Sequence, residues 1–463
     1  MSFVSLHFVA LFCITLFVYH LAHRYVWLQN VIILLASLTF YGSWNLKFLG
    51  LLILAAAANF CAAIAMETFK SIRRKILIIG VIGNLTLLGI FKYANFFSET
   101  FVSLFQHMGF TVESNQFTVQ IILPLGISFF VFQKIAYLID VYRGQIQAER
   151  SFLVFLCFVL FFPQLVAGPI ERADHLIPQF KSSRFITAES ASHAIWLICW
   201  GLFLKIAVAD SLAHVVDNAF RPDQQFGWSV VLGSIAFGLQ IYGDFCGYSF
   251  MAKGLAALLG FELLWNFQRP YASKSIQEFW QRWHITLGRW LRDYLYIPLG
   301  GNRCGALRTE INLLITMALA GLWHGASWSF VVWGLFHGFA LSIHRGWKAT
   351  RIKIPTLLAW LLTIVTVMIG WFLFRAQTGT MVMALLRSFS DFGWRPGHTA
   401  VLLMMIILSI PIIIVEVLQE RAQDAYVLMK GHPFTGVMVN AAAILCTLAL
   451  IGNVQSKFIY FQF

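Results

Sequence analysis

Residues 310–344 read EINLLITMALAGLWHGASWSFVVWGLFHGFALSIH, an apolar run with Gly321-Leu322-Trp323-His324-Gly325 near its middle. Arg303 and Arg308 precede it. Arg345-Gly346-Trp347-Lys348, Arg351 and Lys353 follow it. Lys and Arg in short loops mark the cytoplasmic side of a membrane. A run that begins and ends beside such clusters must enter and leave on one side. The reading is a membrane hairpin with Trp323-His324-Gly325 near its tip.

The rest of the chain agrees with that setting. Of its 463 residues 59% are hydrophobic and only 11% charged, against the ~25% charged of an average soluble domain. Other apolar runs lie near 4–20, 29–42, 48–66, 75–92, 120–139, 152–167, 193–211, 228–250, 355–374, 399–419 and 434–453. A spanning helix needs ~20 apolar residues, and several of these runs are short or broken. Pro124, Pro163 and Pro169 remove backbone donors, which is tolerated at membrane depth where protein or a water-filled cavity satisfies the freed groups. The expectation is an all-α, polytopic membrane helical bundle of about eleven or more membrane segments. Some segments should be re-entrant, and the bundle should form one domain over 1–463. The opening MSFVSLHFVALFCITLFVYHL lacks the basic n-region and small-residue cleavage site of a signal peptide, and reads as the first membrane helix.

Orientation follows from the basic loops. Lys70, Arg73, Arg74 and Lys75 should be cytoplasmic. The loop from about Asn95 to Gln120 has no Lys or Arg and should be external, and Arg143 and Arg150 return inside. Counting back puts the N-terminus outside. The stretch 269–308 is rich in arginine and should lie at the cytoplasmic face. The net charge of +13 sits in short loops, which suits anionic lipid headgroups or an anionic soluble donor, and no nucleic-acid partner is expected. The seven cysteines are scattered without CxxC or Cys/His spacing, so no metal site is expected. Cys304, in the Gly300-Gly301-Asn302-Arg303-Cys304 loop, is the one thiol singled out.

Residues 277–296 read QEFWQRWHITLGRWLRDYLY. At helical spacing Trp280, Trp283, Leu287, Leu291 and Tyr294 share a face, with Gln281, Arg282, Arg289 and Arg292 largely off it. This pattern predicts an amphipathic helix lying in the membrane interface. It is either a plain anchor or the floor of a reaction chamber that presents His284. An ionisable residue at membrane depth is a functional-site hypothesis by default, and His324 is the sharpest example. Desolvation disfavours imidazolium, and a neutral imidazole is what a general base requires. The plainer alternative is a core histidine bonded to a carbonyl. His337 reads as structural. Lys92, Lys134, Asp140, Arg143, Lys205, Asp210, Gln240, Tyr242, Asp244 and Tyr248 read as helix–helix contacts or snorkelling side chains. No phosphate-loop, zinc-protease, nucleophile-elbow or dinucleotide fingerprint is present.

Several motifs in one order resemble the membrane-bound O-acyltransferase family, over nearly the whole chain. They are Ala36-Ser37-Leu38-Thr39-Phe40-Tyr41-Gly42, Phe91-Lys92-Tyr93, Leu123-Pro124-Leu125-Gly126-Ile127-Ser128-Phe129 and Phe162-Pro163-Gln164-Leu165-Val166-Ala167-Gly168-Pro169-Ile170. The order continues with Phe279-Trp280-Gln281-Arg282-Trp283-His284, Gly321-Leu322-Trp323-His324-Gly325, Phe374-Arg375-Ala376 and Phe458-Ile459-Tyr460-Phe461-Gln462-Phe463. Within the family the chain is similar to the bacterial branch of alginate O-acetylases, peptidoglycan O-acetylases and teichoic-acid D-alanyl transferases. The terminal FIYFQF and the Tyr-Gly-Ser-Trp ending at Trp44 are closest to the alginate group.

The resemblance implies a helical fold around a central tunnel open to both faces, in a bacterial cytoplasmic (inner) membrane. It implies an acyl thioester donor arriving from the cytoplasm, with acetyl-CoA as the expected donor and no bound cofactor. The product would be an O-acetylated extracytoplasmic polysaccharide, reached directly or through an extracytoplasmic acyl-relay or acetyltransferase protein. His324 falls on the family's central histidine and is the expected base. His284 falls on the second histidine, and it or a backbone donor should steady the oxyanion. Arg282, Arg289, Arg292 and Arg303 are the expected clamps for the donor's phosphates. Two alternatives remain open: D-alanyl transfer from a carrier protein to a cell-wall polymer, and a non-enzymatic polysaccharide or lipid transporter.

Overall fold

The structure, a computed structural model, describes residues 2–110, 122–165, 168–221, 223, 226–430, 433–450 and 459. Among the described residues all regular structure is helical and no strand occurs. The chain forms two compact units, Met1–Ile186 with Ala256–Leu263, and Thr187–Leu255 with Leu264–Phe463.

The first unit contains α1 (Leu6–Leu21), α2 (Val26–Gly42), α3 (Leu46–Thr68), α4 (Arg73–Leu88) and α5 (Ala94–His107). It continues with α6 (Ile127–Arg143), α7 (Phe152–Leu160), α8 (Phe162–Leu165) and α9 (Ala173–Lys181). Local sequence sets the helix starts. Ser5 accepts from the Phe8 N–H, and Asn45 accepts from Lys47 and Phe48, so each satisfies donors that a helix start leaves open. Gly144, at φ 72°, closes α6 in the left-handed conformation that favours glycine. Apolar packing runs through Phe8, Phe40 and Phe162, with Phe8 and Phe40 rings 5.6 Å apart. Buried polar groups find partners: Arg184 donates to Asn30 Oδ1 at 2.8 Å, and the Tyr19 hydroxyl donates to the Leu259 carbonyl at 2.6 Å.

The expected external loop from Asn95 is helical as far as His107. A π turn over Gly89–Tyr93 carries α4 into α5, and no Gly or Pro interrupts the chain until Gly109. Absence of basic residues indicates sidedness, not loop structure. The remainder of that predicted loop, 111–120, lies outside the described residues, as do Val166, Ala167 and all of the FIYFQF motif but Ile459.

The second unit contains α10 (Ala188–Leu202), a π segment (Phe203–Asp210), α11 (Ser211–Ala219), α12 (Gly227–Leu258, its last turn counted with the first unit), α13 (Ile276–Arg282) and α14 (Ile285–Leu291). It continues with α15 (Ala306–His324), α16 (Trp328–Thr350), α17 (Thr356–Arg375), α18 (Gly379–Arg387), α19 (Pro396–Ala422) and α20 (Pro433–Ala449). Residues 310–344 form the hairpin read from sequence, with α15 and α16 as its arms and Gly325–Ser327 as its tip. The arms touch through glycine. A Cβ on Gly321 would stand 2.0 Å from the Phe330 carbonyl oxygen, and one on Gly334 would stand 2.1 Å from that of Met317. Small residues permit this backbone approach. Ser327 caps α16 by accepting from the Ser329 N–H, and the Ser329 hydroxyl donates to the Gln377 carbonyl at 2.8 Å, which ties the tip to the chain after α17.

Six helices among the described residues are long and apolar enough to cross a membrane, and three shorter apolar helices join them. The other apolar runs hold short or charge-bearing helices, such as nine-residue α7 and α6 with Lys134 and Asp140. On α19 one side exposes Leu403, Ile406, Ile407, Ile410, Ile413, Ile414 and Val417, while Met405, Leu408, Ile412 and Val415 are buried. An exposed apolar stripe of that extent marks contact with lipid.

Inside this unit Lys205 Nζ lies 2.8 Å from Asp210 Oδ1 and 2.7 Å from Asp244 Oδ1. Asp244 Oδ2 accepts the Ile459 N–H at 2.6 Å. These residues thus act as interhelical contacts. His337 is buried against Trp280 and Trp333, consistent with a packing role.

Candidate active site

His284 and His324 lie in the second unit. Their ring centroids are 6.5 Å apart, and the side chains come from different elements. His324 is the last residue of α15. Gly325 follows in an extended conformation and ends the helix. His324 is 5% exposed and is walled by Trp323 at 4.9 Å, Trp333 at 5.1 Å and Phe374 at 5.5 Å between ring centroids. Trp333 comes from α16 and Phe374 from α17, so three helices converge on one imidazole.

His284 is 2% exposed and sits where the chain bends. The expected single interfacial helix over 277–296 is in fact broken. α13 ends at Arg282, Trp283 is extended, His284 takes φ 44° and ψ 52°, and α14 starts at Ile285. A left-handed residue that is not glycine requires support from its surroundings. Two backbone bonds supply it: Gln268 N donates to Arg282 O at 3.0 Å, and Ile285 N donates to Asn266 O at 2.9 Å. Part of the Trp face packs against protein. Trp283 is 2% exposed and packs on Phe279, Phe267 and Trp371. On its other side His284 meets the Phe245 edge at 4.7 Å and Trp323 at 5.7 Å. Its Nδ1 lies 3.2 Å from Asn266 Oδ1. The histidine lies between two seven-residue helices, outside the spanning helices, and burial pushes its imidazole down to about 3. Burial thus favours the neutral ring.

The four arginines expected to hold the donor divide into two pairs. Arg282 is engaged by carboxylates, with Nη2 2.7 Å from Glu278 and Nη1 3.5 Å from Glu420, and Glu420 also meets Arg269 at 2.6 Å. Arg292 pairs with Asp293 at 2.7 Å. Arg289 and Arg303 are exposed and form no ion pair among the described residues. Cys304 is an exposed free thiol. Among the described residues no group of three or more His, Cys, Asp or Glu could hold a metal ion. Sequence reasoning missed Asn266, Gln377 and Glu420, and it quoted Phe374 only as part of a motif, without placing it beside His324. The only available signal was a polar asparagine in the aromatic Trp265-Asn266-Phe267 turn.

The site combines two buried imidazoles in an aromatic enclosure. That set suits proton transfer during attack of a hydroxyl on an acyl group. Comparison with known proteins identifies the family of the chain. Residues 78–386 match the model of the membrane-bound O-acyltransferase family. The chain is 40% identical over 369 residues to a probable alginate O-acetylase AlgI of Azotobacter vinelandii, covering 79% of this chain and 73% of the relative. It is 34% identical over 490 residues to a peptidoglycan O-acetyltransferase of Helicobacter pylori, covering 93% and 91%. It is 29% identical over 237 residues to a teichoic acid D-alanyltransferase of Streptococcus thermophilus, covering 48% and 57%. The two buried histidines thus lie in a chain that belongs to the membrane-bound O-acyltransferase family.

Proposed function

We propose that this O-acyltransferase moves an acetyl group from acetyl-CoA at the cytoplasmic face to a hydroxyl, for O-acetylation of an extracytoplasmic polysaccharide. The hydroxyl belongs to the polymer itself or to an extracytoplasmic relay protein. The observation that carries this reading is the 6.5 Å approach of the two buried imidazoles. His324 takes the proton of the acceptor hydroxyl as its oxygen attacks the thioester carbonyl. The tetrahedral centre then collapses, the C–S bond breaks, and the leaving thiolate takes the proton back from His324. The ester and a free thiol are the products. The cytoplasmic placement of Arg289 and Arg303 follows from the Lys/Arg bias of the loops, and their exposed guanidinium groups hold the donor's phosphates. The setting is the bacterial cytoplasmic membrane, where lipids cover the apolar stripes.

D-alanyl transfer from a carrier protein is the second reading, supported by the similarity to the teichoic acid D-alanyltransferase. Purified protein offered acetyl-CoA and a D-alanyl carrier in parallel separates the two. Preferential thiol release from acetyl-CoA supports acetyl transfer, and preferential release from the carrier overturns it.

A further inference from the structure

The bend at His284 is organised by a residue that the reaction above leaves unused. Asn266 Oδ1 accepts from the Thr286 hydroxyl at 2.7 Å and from the Thr286 backbone N–H at 3.4 Å. The same oxygen faces His284 Nδ1 at 3.2 Å. The amide nitrogen turns the other way and donates to Ser249 Oγ at 3.4 Å. These contacts leave one assignment. A backbone N–H can only donate, so the Asn266 atom beside Thr286 is the oxygen. An amide oxygen can only accept, so the ring nitrogen facing it carries a proton. Asn266, His284, Thr286 and Ser249 are all buried. The backbone bonds between 266–268 and 282–285 hold asparagine and histidine in register.

We propose that Asn266 is a positioning residue that holds His284 in the Nδ1–H tautomer, making its Nε2 a proton acceptor beside His324. This rests on the reading that the histidine pair is the acyl-transfer centre. Burial disfavours the charged ring, and a neutral ring protonated at Nδ1 has a lone pair and no proton at Nε2. His284 then cannot donate from Nε2 to the thioester oxyanion, which was one of the two sources expected from sequence. It receives a hydrogen bond instead. With ring centroids 6.5 Å apart the imidazoles are too distant to bond each other directly, and a bridging O–H is the group that suits a lone-pair nitrogen. A hydroxyl-bearing acceptor or a water supplies such an O–H.

The test is the nitrogen NMR spectrum of the full protein, labelled with ¹⁵N-histidine, in lipid nanodiscs near neutral pH. The His284→Asn variant identifies the signal by its loss, since asparagine tolerates the left-handed backbone. The wild-type spectrum should show a protonated Nδ1 and an unprotonated Nε2. Asn266→Asp, which keeps an accepting oxygen, should retain that pattern. Asn266→Leu should lose it, and its kcat for acyl transfer should fall by about 100-fold or more with little change in KM, as when a histidine's orienting partner is removed. A protonated Nε2 in the wild type, or an unchanged tautomer in Asn266→Leu, overturns the proposal. If Asn266→Leu does not fold, the wild-type spectrum decides alone. Full activity in His324→Ala would sink the acyl-transfer assignment and leave this spectrum unaffected, so the two failures are distinguishable.

Discussion

The imidazoles of His284 and His324 stand 6.5 Å apart, centroid to centroid, one at a left-handed bend and the other at the last turn of a hairpin arm. Neither is placed by its own helix alone. The bend depends on the 266–268 segment, and the hairpin tip depends on glycine contacts and on Gln377. The site should therefore respond to substitutions that never touch a substrate.

Hairpin packing gives the first prediction. Gly334→Leu adds a side chain where even a Cβ would stand 2.1 Å from the Met317 carbonyl oxygen. The arms must separate, at about 1–3 kcal/mol or more for overpacking, and His324 moves with α15. Thermal unfolding in detergent should occur at lower temperature and turnover should fall. Gly50→Ala is the control, because its Cβ meets nothing within 4 Å. A Gly334→Leu protein as active and stable as the control would contradict the packing account.

The exposed arginines should act on donor binding. Neutralising Arg289 and Arg303 together should raise the KM for the thioester and change kcat little, with the effect shrinking as salt screens the charges. Steady-state kinetics over a salt series reads this directly. Arg282→Gln should instead lower stability, since it removes a partner from Glu278 and Glu420. An unchanged KM at low salt in the double variant would reassign Arg289 and Arg303 to lipid anchoring.

The Lys205 cluster predicts an asymmetry between single and double variants. Lys205→Met leaves the Asp210 and Asp244 carboxylates buried without this cation. Breaking a buried pair from one side costs about 3–5 kcal/mol. Lys205→Met combined with Asp244→Asn should recover part of the loss. Unfolding curves for the wild type, the two single variants and the double variant measure it, and additive losses would show that the contact carries little coupling.

Sidedness is the fourth prediction. Reporter fusions should place the N-terminus outside, and the 70–75 loop and Arg345 inside. A cytoplasmic N-terminus would reverse the loop argument and put the arginine face on the wrong side for a cytoplasmic donor.

The hairpin was legible because two independent signals coincide: basic residues at both ends and a glycine-flanked tip. The broken helix was not. The spacing of Trp280, Trp283, Leu287 and Leu291 stays helical in the sequence, because the break takes only two residues, an extended Trp283 and a left-handed His284, with no Gly or Pro to mark it. Glu278 lies four residues before Arg282, a helical spacing that allows the pair, although the sequence reading gave Arg282 to the donor's phosphates. Glu420 was not, since it arrives from α19 through tertiary packing. The link from Asn266 to His284 was hidden for the same reason.

The most direct measurement is thiol release from acetyl-CoA by purified protein, with a hydroxyl acceptor present, comparing wild type with His324→Ala. General-base catalysis contributes ~10²–10⁴-fold. The account predicts that His324→Ala loses acyl transfer by at least about that lower factor while inserting and unfolding like the wild type. Full acyl transfer by a folded His324→Ala protein would contradict it.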